Sequence, residues 1–92
     1  TVYALEQNYP NPFNPSTQIR YALPEEAMVT ISIYDMMGRK VRTLVSQSMS
    51  PGYHTTLWNA TNDNGIAVSA GMYIYTIQAG GYHHMKKMVL LK

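Results

Sequence analysis

After residue 15 the chain alternates between apolar and polar positions with a period of two, and turn-forming residues close each run. That is the pattern of antiparallel β-strands joined by short connections. Residues 17–23 put Ile19, Tyr21 and Leu23 on one face and Gln18, Arg20 and Ala22 on the other, and Pro24-Glu25-Glu26 ends the run. Residues 28–35 repeat the scheme, with Val29, Ile31 and Ile33 inward and Thr30, Ser32 and Tyr34 outward. The loop 35–39, in which Gly38 can supply a positive φ, leads to a return strand over residues 40–45. A polar connector over residues 46–52 precedes a run, 53–59, that carries Trp58, the largest apolar surface in the chain and a natural core residue. Residues 59–65 form a turn cluster, Ala70-Gly71 is a second break, and residues 72–79 and 82–91 flank Gly80-Gly81 as a hairpin. No stretch argues for a helix. Six strands, with a seventh if residues 66–69 pair, predict an all-β fold: an immunoglobulin-like antiparallel β-sandwich of six to seven strands.

The segment before this pattern has its own chemistry. Tyr9-Pro10-Asn11-Pro12-Phe13-Asn14-Pro15 carries three prolines, which fix φ, remove donors and push Tyr9, Asn11 and Asn14 towards extended geometry. A rigid linker would explain the prolines but not the only Phe of the chain. We therefore expect residues 1–16 to form a Pro/Asn-rich lead-in packed on a sandwich of residues 17–92. Its anchor is assigned to Pro10, Pro12, Phe13 and Pro15.

At 92 residues the chain is one domain, long enough for a core but short for a deep active site. A net charge of +2 is far from the dense basic stripe that phosphate neutralisation needs, so nucleic acid is not expected as a partner. No apolar run approaches a membrane span, and no leader-like stretch opens the chain. With Thr at position 1, the expectation is a piece from the end of a longer protein, acting as a monomer. The absence of cysteine rules out a disulfide framework and leaves the redox compartment open.

Candidate chemistry is sparse. Trp58, Tyr34, Tyr73 and Tyr75 would suit stacking on sugar rings, the alternative reading being a carbohydrate-binding or cell-attachment accessory module of a secreted enzyme; core packing explains them better. Asn62-Asp63-Asn64-Gly65 lacks the further carboxylates of a calcium loop and reads as an Asx turn. His83 and His84 are strand neighbours and face opposite ways, and His54 stands apart, so no metal or cofactor is expected. Five scattered acidic residues assemble no acid, base and nucleophile, so no catalysis is expected. The seven methionines read as adaptable packing. At the end, Lys86-Lys87-Met88-Val89-Leu90-Leu91-Lys92 alternates poorly, because residues 88–91 are all apolar. Such a strand is covered on both faces or lies at an edge with one apolar side available, and composition alone favours core packing.

Taken in order, Leu5, residues 7–17, Ile33-Tyr34-Asp35 with Gly38, Gly52, Trp58, Asp63 with Gly65, Gly71 with Tyr73 and Tyr75, and the closing Lys87-Met88-Val89-Leu90-Leu91-Lys92 resemble a C-terminal sorting domain of type A. Such domains belong to the Por, or type IX, secretion system of Bacteroidetes and related Gram-negative bacteria. The pattern is also similar to the immunoglobulin-like domain of flagellar hook-capping proteins. The chain departs from it at Ala60, Ala70-Gly71 and Met85, where such domains often carry Gly, Ser-Gly and Thr. The resemblance implies a secretion module that takes a larger cargo protein, via the periplasm, through the outer membrane to the cell surface or medium. Its implied partners are the outer-membrane translocon, a sortase-like peptidase and the N-terminal cargo. It also assigns translocon recognition to Lys86, Lys87, Met88, Val89, Leu90, Leu91 and Lys92. A free edge there would offer unpaired backbone groups to a receptor, with basic side chains beside them.

Overall fold

The computed structural model describes residues 2–91. Seven strands account for the regular structure: β1 (Ala4–Leu5), β2 (Thr17–Leu23), β3 (Ala27–Asp35), β4 (Lys40–Met49), β5 (Gly52–Trp58), β6 (Gly71–Ala79) and β7 (Tyr82–Leu90). They form two antiparallel sheets, a small one in the order β1-β2-β5 and a larger one in the order β4-β3-β6-β7. The sheets pack face to face as an immunoglobulin-like sandwich.

Each alternating run buries the face that its apolar residues mark. Ile19, Tyr21 and Leu23 from β2, Val29, Ile31 and Ile33 from β3, Tyr73, Tyr75 and Ile77 from β6 and Met88 and Leu90 from β7 meet in one core around Trp58. Trp58 is fully buried, packed 5.3 Å edge-on to Tyr73 and 5.8 Å from the Phe13 ring, and its indole Nε1–H donates to the Thr61 carbonyl at 2.8 Å. Phe13 thus seats its ring in the core against Trp58.

Two connections follow from single residues. In the β3–β4 turn, Asp35 Oδ1 accepts the backbone N–H groups of Met37 and Arg39, and Gly38 takes φ +82°. Those bonds, the Arg39 N–H first, hold the Asp35 carboxyl below its ordinary value, helped by an ion pair from Arg39 Nε at 2.9 Å. Between β6 and β7, Gly80 has φ +57°, a conformation that favours glycine, and a Cβ there would push the Tyr3 hydroxyl, 3.0 Å away, by a few tenths of an ångström.

Two boundaries differ from the sequence pattern. β4 runs on to Met49 because Ser46, Gln47 and Ser48 pair with Thr30, Val29 and Met28 of β3, and backbone pairing carries the strand through side chains that read as a connector. The seventh strand is Ala4–Leu5, paired with Ala22 and Tyr21, inside the segment expected to be only a lead-in. Residues 66–69 contribute just the isolated bridge Thr61↔Ala67. There Asn62 Oδ1 accepts the N–H groups of Asn64 and Ile66, which curls the chain into a turn.

Candidate functional site

β7 lies at one edge of the larger sheet, with β6 as its ladder partner. Its pleat turns Met88 and Leu90 into the core and leaves Lys87 and Leu91 exposed, Leu91 by 51%, with Val89 half-buried between them. The continuous apolar stretch is therefore read on two faces: Met88 and Leu90 hold the strand down, while Lys87, Val89 and Leu91 form its outward row. Lys86 is half-buried, and Lys92 lies outside the described residues.

The backbone edge expected to be free at this end is occupied. The Gln7 side-chain amide donates to the Lys87 carbonyl at 2.8 Å, and the Val89 N–H donates to Asn11 Oδ1 at 3.0 Å. The Phe13 N–H donates to the Val89 carbonyl at 3.0 Å and the Leu91 N–H to the Phe13 carbonyl at 2.8 Å, closing a parallel bridge between Phe13 and Leu90. The prolines strip donors from this segment, yet Phe13 between them keeps its own N–H and supplies the pairing.

Of the four residues assigned as the lead-in's anchor, Phe13 alone is buried; the side chains of Pro10, Pro12 and Pro15 face solvent. Pro10 contributes through its carbonyl, which accepts from the Thr17 hydroxyl at 2.8 Å and from Asn8 Nδ2 at 3.2 Å. The second anchor is Asn8, to which the sequence reading gave no role of its own within the lead-in. It is buried, with Nδ2 also donating to Thr17 Oγ1 at 2.9 Å and Oδ1 accepting from Gln7 Nε2 at 2.7 Å. Its backbone N–H donates to the Tyr75 hydroxyl at 2.8 Å, and that hydroxyl donates to the Glu6 carbonyl at 2.8 Å. Burial pushes the Tyr75 phenol up to about 12. A core-facing tyrosine in mid-strand needs a partner for its hydroxyl, and that requirement was the available signal for Asn8.

The aromatic platform does not exist as drawn. Trp58, Tyr73 and Tyr75 are core residues, the Tyr73 hydroxyl donates to the Ser69 carbonyl at 2.6 Å, and Tyr34 is half-buried. No flat aromatic face made of these rings is open to a sugar. The turn cluster serves the sheet: Asp63 Oδ1 accepts the Thr43 N–H at 3.0 Å, and the Asp63 N–H donates to the Val41 carbonyl at 3.1 Å. It covers part of the β4 edge. His54 stacks 5.4 Å from Tyr21 with its Nε2 2.7 Å from the Ser50 carbonyl, and His84 stacks on Tyr82, which stacks on Tyr3.

Comparison with known proteins places these features in a family. The family described as "Secretion system C-terminal sorting domain" matches residues 7–91. No curated protein matches the chain in sequence. Among solved structures, dimeric latent PorU from Porphyromonas gingivalis is 24% identical with a TM-score of 0.76, over 98% of this chain and 9% of that one. PorZ, a surface component of the type-IX secretion system of the same organism, is 21% identical with a TM-score of 0.66, over 97% of this chain and 12% of that one. FlgD from Xanthomonas campestris, a hook-capping protein of flagellar assembly, is 21% identical with a TM-score of 0.66, over 96% of this chain and 64% of that one. The chain spans about a tenth of the two Porphyromonas proteins, and these likenesses bear on the fold.

Proposed function

This chain belongs to the secretion-system C-terminal sorting domains, and from that premise we propose that it is read as a folded export tag through the outward row of β7. It is a sorting module of the type IX system, and the protein that carries it is secreted or displayed at the cell surface. The family is a sorting family rather than a catalytic one; the larger protein that carries such a domain can itself be an enzyme.

In the proposed mechanism the parent protein crosses into the periplasm first, and the sandwich folds there around Trp58. The outer-membrane translocon then reads residues 86–92, of which 86–90 belong to β7, and a sortase-like peptidase acts on the exported cargo. The observation that carries this reading is the seating of the last strand: Met88 and Leu90 are locked in the core while Lys87, Val89 and Leu91 point away from it. A receptor meeting that row finds apolar contact and positive charge already ordered, so little entropy is lost on docking.

A fusion of a leader peptide, a fluorescent reporter and residues 1–92, expressed in a host with the type IX machinery, tests the reading. The intact fusion is expected at the surface or in the medium, and a fusion with Lys87→Glu and Leu91→Glu, which keeps Met88 and Leu90 in the core, in the periplasm. Equal export of both would remove the outward row of β7 from the mechanism. Retention of an intact, folded fusion would remove the sorting role itself.

A further inference from the structure

The lead-in segment does more than connect. Edge strands offer main-chain groups for strand addition, and the last third of β7 would be such an edge if the chain began at residue 17. Instead, the Lys87 carbonyl, the N–H and carbonyl of Val89 and the Leu91 N–H are all bonded to Gln7, Asn11 and Phe13. Three of the four bonds fall on Val89 and Leu91, and two of the four use side chains, Gln7 and Asn11, the latter set between two prolines.

We infer that residues 7–13 are a fixed edge cap on β7, so that the export strand offers its side chains and not its backbone to the protein that reads it. Gln7, Asn11 and Phe13 are then positioning residues for Lys87, Val89 and Leu91. The cap cannot lift by itself, because its contacts run into the core. Lifting Phe13 uncovers Trp58, and lifting the segment takes the Asn8 N–H from the Tyr75 hydroxyl and both Asn8 Nδ2 and the Pro10 carbonyl from the Thr17 hydroxyl. Local opening is therefore coupled to loss of the whole sandwich. The cap itself stands on the hydrogen bonds; only its meaning for recognition rests on the sorting role proposed above.

Native-state hydrogen exchange on residues 1–92 decides the first part. The amides of Phe13, Val89 and Leu91 are expected to be protected within about tenfold of those of the central strand β3, because both sets exchange through the same global opening. Exchange about a hundredfold faster at these three amides, with β3 still protected, would show a cap that opens alone and would overturn the inference. Asn11→Ala is expected to lower protection at Val89 selectively, leaving Leu91 and β3 as they were; an unchanged Val89 would mean that Asn11 does not hold it.

The second part is read by export. The chain has no cysteine, so Tyr9→Cys with Gln18→Cys, directly opposite each other in the antiparallel bridge between the cap and β2, introduces one disulfide that ties the cap shut without touching the outward row of β7. Opposed positions of an antiparallel pair lie within the Cα separation that a disulfide spans. The bridged fusion is expected to be exported as well as the same fusion kept reduced. Export of the reduced form alone would show that the edge must open for strand addition. If the fusion without these substitutions stays inside the cell, the sorting role fails while the exchange result stands.

Discussion

Tyr75→Phe isolates the bond that ties the lead-in to the core. The substitution keeps the ring, which is fully buried, and removes one oxygen that accepts from the Asn8 N–H and donates to the Glu6 carbonyl, each at 2.8 Å. Asn8 is buried, so its N–H loses its partner where water does not replace it; the Glu6 side chain is exposed, and its carbonyl is the easier of the two to rehydrate. Two ordinary hydrogen bonds at about 1 kcal/mol each, plus part of the penalty for an unpaired buried donor, give an expected loss of about 2–3 kcal/mol. The same hydroxyl fixes a pH dependence. Burial raises its pKa from 10.0 to about 12, so the unfolded chain releases this proton first as pH rises. Stability from this group is complete below pH 10 and is lost as pH climbs through 12, by at most about 2–3 kcal/mol for a shift of that size. Urea unfolding followed by Trp58 fluorescence, at intervals from pH 7 to 12, measures both effects. Tyr75→Phe should be less stable at pH 7 and should lose less than the native chain does between pH 10 and 12. A difference below about 0.5 kcal/mol at pH 7, or alkaline limbs of equal steepness, would refute the assignment of this hydroxyl as a structural tie.

Trp58→Ala should cost about 3–5 kcal/mol in the same urea assay, read by circular dichroism, because it empties the centre of the core between Phe13 and Tyr73. Asp35→Asn should flatten the acid limb of the stability profile: the folded-state pKa of Asp35 is depressed, so its contribution is present above the unfolded value near 3.8 and is lost as pH falls through the lower folded value. An unchanged acid limb would separate the turn's geometry from its charge. Ala60→Gly should change stability by less than about 1 kcal/mol, because relief at φ +63° is offset by loss of a buried methyl; a larger change of either sign in thermal melting would show that one effect dominates.

Alternation made the sandwich legible because a half-buried strand writes its inward face directly into the chain. Ile19, Val29, Ile31, Ile33, Trp58, Tyr73, Met88 and Leu90 are buried for the reason that the pattern gives. Pairing partners leave no such trace, and both revised boundaries are cases of pairing. Ser46, Gln47 and Ser48 are polar yet continue β4, because β3 supplies the ladder. Ala4–Leu5 is too short for any period to register. Ala60 shows the complementary case: the family pattern carries glycine there, and the observed positive φ supplies the physical reason for it.

The site was legible by side chain and hidden by backbone. An apolar run of four residues near the end marked β7, but nothing in residues 86–92 says whether their edge is open, since that depends on a segment some eighty residues away. Three prolines drew attention to the lead-in as a stiff element, and stiffness is what a cap needs; their own side chains nevertheless stay in solvent. The work falls to the residues between and before them, Asn8, Asn11 and Phe13, each of which has a polar or apolar group that one β7, β6 or β5 partner completes. A sequence dense in proline and asparagine at the start, with a strand of mixed apolar and basic residues at the finish, thus encodes two halves of one surface. Either half alone reads as a linker or as an open edge, and only their pairing shows that the last strand is finished on both sides at its C-terminal end.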